Sequence, residues 1–257
     1  MRIGVAGIAG RMGRLVADEI VLAGATLSGG TSLEADTPPE GTTLFPTIAR
    51  LAAVSDAVID FTHVSTVRGH AAGLAGARTA WILGTTGLSA LDQDAVEEAA
   101  TAIAVIQAAN FSPGVNLVLA LARQLGAALP ADAYDAEIVE MHHRQKVDAP
   151  SGTALALGRA VAAGRAVRFE DAAVISRAGH TGPRPQGGIG FAALRGGQVV
   201  GDHTLIFAAG DEQITLTHRA LDRRAFARGA VRAALWTAGK APGRYTMMDV
   251  LGMETTA

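Results

Sequence analysis

The sequence predicts an α/β fold, a doubly wound parallel sheet interrupted by an inserted α+β domain with a mixed, largely antiparallel sheet. Three observations predict it. Short apolar runs alternate with helical patterns as far as Gln107. A glycine-rich turn follows the first of these runs. The rhythm then breaks at Ser112-Pro113-Gly114 and gives way to strands and turns.

Taken in order, Ile3 to Ala6, Ala25 to Ser28, Ala57 to Phe61, Ala80 to Leu83 and Ile103 to Gln107 read as buried parallel strands. Met12, Leu15, Val16 and Ile20 form one face of a helix between the first two, and Asp92 to Thr101 is a second helical stretch. Repeated strand–helix order implies right-handed crossovers and a doubly wound sheet. Beyond the break, Val115 to Leu125 is helical and Ala136 to His142 alternates as a strand. Ser151-Gly152-Thr153 opens an alanine-rich helix reaching about Ala162. Gly190 to Arg195, Gln198 to Gly201, Thr204 to Ala208 and Gln213 to His218 follow as an antiparallel meander, with turns such as Gly196-Gly197 between them. A last helix, Arg224 to Trp236, returns to the first domain. The expected division is residues 1–112 with 223–257, and 113–222 inserted between them.

Composition narrows the function classes. The chain of 257 residues is 49% apolar and 18% charged, enough for two ordered cores. A net charge of −2 gives no footprint for a nucleic-acid partner. The absence of cysteine excludes disulfides, thiolate zinc sites and a cysteine nucleophile, and is compatible with a cytoplasmic location. The apolar N-terminal run is broken by Arg11, Arg14, Asp18 and Glu19, too early for a signal core, and no run is long enough for a membrane span.

Gly7-Ile8-Ala9-Gly10-Arg11-Met12-Gly13 follows a predicted strand and opens a predicted helix. Glycine lets backbone approach a pyrophosphate, and the helix start supplies N–H groups and a positive dipole end. In that context the spacing marks a Rossmann dinucleotide site. The second strand ends near Thr31 and Ser32, with no acid before Glu34 to bind ribose hydroxyls and no arginine beside it. The expectation is NADPH with tolerance for NADH. Phe61-Thr62, Gly84-Thr85-Thr86 and Ala109-Asn110-Phe111 also follow strand ends, where cofactors bind.

The densest polar stretch runs from Glu137 to Thr153. Imidazole titrates near neutrality, so His142 and His143 suit proton transfer. Lysine occurs only at positions 146 and 240, and Lys146 can hold a carboxylate or donate a proton. The helix start at Ser151-Gly152-Thr153 suits a carboxylate as well. In a strand Ile138, Glu140 and His142 share one face and His143 takes the other. Two other readings stand beside this one: a metal site of His142, His143, Glu140 and Asp148, which lacks the usual ligand spacing, and a solvated loop.

The run His142-His143-Arg144-Gln145-Lys146-Val147-Asp148-Ala149-Pro150-Ser151-Gly152-Thr153 resembles the signature of the 4-hydroxy-tetrahydrodipicolinate reductase (dihydrodipicolinate reductase) family. The likeness extends to Gly7–Gly13, Phe61-Thr62, Gly84–Gly87, Ala109–Ser112, Gly179-His180-Thr181-Gly182 and Gly229-Ala230-Val231. It implies NADPH- or NADH-dependent reduction of a cyclic dicarboxylate in lysine and diaminopimelate synthesis, without a metal, by a cytoplasmic homotetramer assembled through the inserted domain. It also implies roles: His142 as proton donor, Lys146 as the second essential group, and His143, Gly152, Thr153 and Thr86 on the substrate. His63 stands where the family often has a basic residue, and the acid–arginine pair common after the second strand is missing. The rivals are a Rossmann oxidoreductase of another anionic substrate and a non-catalytic NAD(P)H sensor.

Overall fold

The computed structural model describes residues 1–32 and 37–253. The chain divides into two compact units, Met1–Pro113 together with the segment from Arg223 onward, and Gly114–Asp222.

The first unit begins with β1 (Arg2–Ala6), α1 (Arg11–Leu22), β2 (Thr26–Thr31), α2 (Ile48–Ala52) and β3 (Ala57–Asp60). A 3-10 turn (Val64–Thr66), α3 (Val67–Ala77), β4 (Ala80–Leu83), α4 (Ala90–Ala100) and β5 (Ala104–Gln107) follow. The six-stranded sheet is parallel throughout, in the order β11-β5-β4-β3-β1-β2, where β11 is Gly243–Tyr245 near the C-terminus. From β1 the chain first goes outward to β2 and then returns to β3 on the other side, so β1 and β3 flank the switch point where ligands of such sheets bind. Both sheet faces are covered. Ile3, Val5, Ile59 and Ile82 pack with Val16 and Ile20 of α1 and with α8 (Arg224–Trp236). Val58, Trp81, Leu83 and Val105 pack with Leu74 and Val96 on the other side. Continuous apolar strands are what two covered faces require. Arg224 pairs with Asp18, and Arg228 with the buried Glu19, tying α8 to α1.

The second unit contains most of α5 (Pro113–Ala128), then β6 (Asp135–His142), α6 (Gly152–Gly164), α7 (Phe169–Ala172), β7 (Ala173–Val174), β8 (Ile189–Arg195), β9 (Gly201–Ala208) and β10 (Gln213–Ala220). Its sheet order is β10-β9-β6-β8-β7. One face, with Ala136, Ile138, Leu205 and Phe207, packs on Ala154, Leu157 and Val161 of α6.

The sheet is mixed, as expected, but a simple meander is not what forms. β9 pairs antiparallel with both β10 and β6, while β6–β8 and β8–β7 are parallel. The expected strand at Gln198–Gly201 is irregular until its last residue, and β9 runs unbroken from Gly201. The helix α3, the strand β11 and the short α9 (Met247–Leu251) form where the sequence pattern predicts no element.

Candidate functional site

In the first unit, the turn after β1 is shaped by glycine. Gly7 sits at φ +73°, and a Cβ on Gly13 would lie 2.2 Å from the Gly7 carbonyl oxygen. That close approach brings the start of α1 against the strand end. The helix is capped by Gly10, with no side-chain capping bond and no acidic residue in its first turn. Among the described residues no side chain caps the first N–H groups, the arrangement a phosphate fits. Ile8 N–H donates to the Thr31 carbonyl at 2.9 Å, holding the glycine turn beside the end of β2. The Ser32 hydroxyl is buried there with no protein partner among the described residues. Glu34 lies outside the described residues.

The neighbouring strand ends are organised by a buried carboxylate. Asp60, fully buried at the end of β3, accepts from Thr62 N–H (3.0 Å), Thr62 Oγ1 (2.6 Å), His70 Nδ1 (2.7 Å) and Trp81 Nε1 (3.2 Å). Burial pushes this carboxyl up, but the His70 and Thr62 bonds outweigh burial and hold it below its ordinary range. Thr85 Oγ1 then donates to the Thr62 carbonyl at 3.0 Å, and Phe61 meets Phe111 edge-on at 5.6 Å. Asn110 Oδ1 accepts the Ser112 N–H, a local turn after β5. The fold places the predicted residues Gly7, Ala9 and Gly10 on the turn after β1, Arg11, Met12 and Gly13 in the first turn of α1, Thr31 at the end of β2 with Ser32 following, and Phe61, Thr62, Gly84, Thr85, Thr86, Ala109, Asn110 and Phe111 just after β3, β4 and β5.

In the second unit, the alternation of β6 puts Ile138, Glu140 and His142 on the buried face, as expected. The strand ends at His142, and His143 begins the turn, its N–H donating to the Val199 carbonyl at 2.8 Å. Glu140, 1% exposed, accepts His142 Nδ1 at 2.6 Å and the Ser151 N–H at 3.1 Å. Arg195 grips the same carboxylate through two bonds of 2.9 Å. Burial raises the Glu140 carboxyl, and the bonds from Arg195 and His142 more than reverse this, so the net movement is downward. Burial pushes the His142 imidazole down, Glu140 opposes, and Lys146 and Arg195 add to the fall. His203 stands edge-on to His142 at 5.0 Å. Burial, and next the neighbouring His142, push His203 down to about 4.

Lys146 extends from the following turn and donates from Nζ to Asp148 Oδ1 at 2.8 Å. Ser151 caps α6, its Oγ accepting the Ala154 N–H at 3.2 Å and lying 3.0 Å from His203 Nε2. A Cβ added to Gly152 would meet nothing within 4 Å, so open space adjoins the helix start. His142, His143, Lys146, Gly152 and Thr153 are thereby assembled around one strand end and one helix start, while Thr86 belongs to the first unit. Among the described residues, no group of three or more His, Asp or Glu is placed to hold a metal. Among the described residues, no helix is long and apolar enough to cross a membrane.

Arg195 and His203 were missed in the sequence. In the sheet, Arg195 is in register with His142 and His203 with Glu140. The signal available was a lone cation closing an apolar strand and a histidine at an inward position of another.

Fold and site together define an α/β protein of the dinucleotide-binding class whose second unit carries a histidine–lysine cluster beside a helix start. Residues 1–111 match the family description "Dihydrodipicolinate reductase, N-terminus", and residues 114–251 match "Dihydrodipicolinate reductase, C-terminus". The chain belongs to the dihydrodipicolinate reductase family. It is 64% identical over 256 residues to a 4-hydroxy-tetrahydrodipicolinate reductase of Granulibacter bethesdensis, covering 99% of this chain and 98% of that one. It is 59% identical to the protein of the same name from Acidiphilium cryptum, covering 98% of each. Among solved structures it resembles a dipicolinate-bound dihydrodipicolinate reductase from Paenisporosarcina sp. TG-14, at 20% identity and a TM-score of 0.77 over 97% of this chain and 98% of that one.

Proposed function

We propose that the chain reduces 4-hydroxy-2,3,4,5-tetrahydrodipicolinate to 2,3,4,5-tetrahydrodipicolinate in lysine and diaminopimelate biosynthesis. One NADH or NADPH and one proton are consumed, and one water is released. The observation that carries this is the folded signature: His142, Lys146 and the α6 start at Gly152 and Thr153 come together on one site. The high identity to reductases of that name over nearly the whole chain supports the same substrate.

When bound, the reduced nicotinamide supplies a hydride. The uncapped glycine turn fits its diphosphate, and the turns at Phe61-Thr62, Gly84-Thr85-Thr86 and Ala109-Asn110-Phe111 would hold the remainder. With no acid before Glu34 in the sequence, a 2′-phosphate meets no repulsion from the end of β2, which supports use of both cofactors. In the second unit, Lys146, His143, Gly152 and Thr153 would anchor the substrate carboxylates, and the site of His142 and Lys146 would deliver the balancing proton. Positioning and charge are the effects such a site supplies.

The protein would act as a cytoplasmic homotetramer on a small dicarboxylate, with no nucleic-acid or membrane partner. Assembly is supported by the sheet face of the second unit turned away from its core. That face carries half-buried Val139, Met141 and Ile206, and Leu194 is 50% exposed.

The test follows the near-ultraviolet absorbance of NADPH and NADH with purified protein and freshly made condensation product of pyruvate and aspartate semialdehyde. Substrate-dependent loss of absorbance is expected, and no loss with either cofactor beside an active control enzyme would overturn the assignment. Lys146→Ala should lower kcat by about 100-fold or more with the fold intact.

A further inference from the structure

Glu140 and Arg195 are not among the groups assigned to substrate, yet both proposed catalytic residues are tied to them. Glu140 uses both oxygens: Oε2 accepts His142 Nδ1 and Arg195 Nη1, and Oε1 accepts Arg195 Nη2 and the Ser151 N–H. Arg195 Nη2 also donates to the Asp148 carbonyl at 2.6 Å, and Asp148 in turn holds Lys146 Nζ. The bonds join β6, β8, the Lys146 turn and the first residue before α6.

We infer that Glu140 and Arg195 are positioning residues that lock His142 as the neutral Nδ1–H tautomer and hold the Asp148–Ser151 segment in place. The lock follows from chemistry. A carboxylate gripped by a guanidinium fork is ionised and can only accept, so the hydrogen of the His142–Glu140 bond lies on Nδ1. Nε2 is left with its lone pair, beside Gly201, where an added Cβ would lie 3.0 Å away. Arg195 also supplies the positive charge that Glu140 needs. Without it, the buried carboxylate has only His142 close enough to answer with a proton of its own. The charged or titratable groups facing His142 are Glu140 on its own strand, Arg195 from β8, His203 from β9 and Lys146 from the turn. Burial and the two cations keep the ring neutral, and Glu140 alone pulls the other way. At neutral pH His142 therefore offers an acceptor at Nε2 rather than a donor, and the proton that the proposed reduction consumes is delivered within the site from Lys146 Nζ.

This inference rests on the proposed reduction at the same site for its kinetic arm only. The first arm is nitrogen NMR of isotopically labelled histidine in the full-length protein, with the His142 signals assigned by their loss in His142→Gln. The expected result at neutral pH is a neutral ring protonated at Nδ1. An imidazolium, or a ring protonated at Nε2, overturns the lock whether or not the protein proves to be this reductase. The second arm is Arg195→Met. His142 should take up its proton at higher pH than in the wild type, the pH profile of kcat should move the same way, and kcat should fall about 100-fold with KM for NADPH unchanged. If neither the His142 titration nor the pH profile moves, Arg195 is structural only. Should Arg195→Met fail to fold, Arg195→Lys decides the matter. It keeps the charge and breaks the fork, so kcat should drop while the His142 titration stays near that of the wild type. An inactive wild type would instead sink the assigned reaction and leave the tautomer measurement standing.

Discussion

Asp60 in the first unit and Glu140 in the second are both buried carboxylates near the carboxyl end of a strand, and each accepts a histidine Nδ1, at 2.7 and 2.6 Å. Their remaining partners differ. Asp60 is surrounded by a backbone N–H, a hydroxyl, an indole and an imidazole. Glu140 has the bidentate Arg195 guanidinium. Dispersed donors fix a loop: Asp60 sets Thr62, and Thr62 sets Thr85, on turns proposed to hold the cofactor. A single cation sets a charge balance, and Glu140 thereby governs the protonation of its histidine as well as its position. The two units solve the same burial problem, one for geometry and the other for geometry and charge.

The largest expected effect breaks this contrast directly. Glu140→Leu strands the guanidinium and should destabilise the protein by about 3–5 kcal/mol in urea unfolding. Adding Arg195→Met removes the stranded charge and should restore the part of that loss due to the charge, the larger part, while the His142 Nδ1 and Ser151 N–H donors still face an apolar side chain and keep recovery incomplete. Activity should stay low in both. Asp60→Leu should cost about 3 kcal/mol through several orphaned donors. Here His70→Leu as a second change should restore little, since the Thr62 and Trp81 donors still face an apolar side chain. Equal recovery in the two double variants would erase the distinction.

The pH dependence sharpens it. His203 falls from its ordinary 6.5 to about 4, and His142 is lowered too. Their contribution to stability is complete above about pH 6.5, where folded and unfolded rings are both neutral. As pH falls, the unfolded chain takes up protons that the folded chain refuses. Stability should therefore drop between pH 6.5 and about 4, with His203 alone accounting for about 3 kcal/mol at most. Asp60 and Glu140 are both held below their ordinary range, so their contributions persist through that window and are lost only at more acid pH. Urea midpoints across this range check the sign, and His203→Gln should flatten the slope. An unchanged slope in that variant would place its origin elsewhere.

Much of this was legible in the sequence, and for physical reasons. Strand runs such as Ala57 to Ile59 are buried on both faces and so are apolar throughout. The glycine turn at Gly7 to Gly13 and the cap at Ser151 are local devices, visible within a few residues. The inward set Ile138, Glu140 and His142 followed from strand alternation alone. What stayed hidden was non-local. Arg195 lies 55 residues from Glu140 in sequence, and only the parallel pairing of β6 with β8 brings them together. His203 reaches the site through antiparallel pairing with β6, where the turn at Gly196-Gly197 had suggested a simple meander. The short β11 carries too few residues for a period to show.

The smallest expected effect on stability tests the most local feature of the Glu140 side. An added Cβ at Gly201 would lie 3.0 Å from His142 Nε2 and 3.4 Å from its Cδ2, so the ring must give by a few tenths of an ångström. A ring end can shift where backbone cannot. The cost of Gly201→Ala should thus be about 1 kcal/mol, near the low end of overpacking and equivalent to roughly 2–4 °C in Tm. The corresponding strain at Gly13 would fall on a carbonyl oxygen 2.2 Å away and would have no such outlet. The methyl of Gly201→Ala nevertheless occupies the space beside the one imidazole nitrogen left without a hydrogen, while the Nδ1 bond to Glu140 is untouched. We expect kcat to fall well out of proportion to the small change in Tm, with KM for NADPH unchanged. Gly13→Ala should instead raise KM for the cofactor and leave the His142 titration as it is. A Gly201→Ala variant with wild-type kcat would show that Nε2 needs no free space beside it, and the acceptor role assigned to that nitrogen would fall.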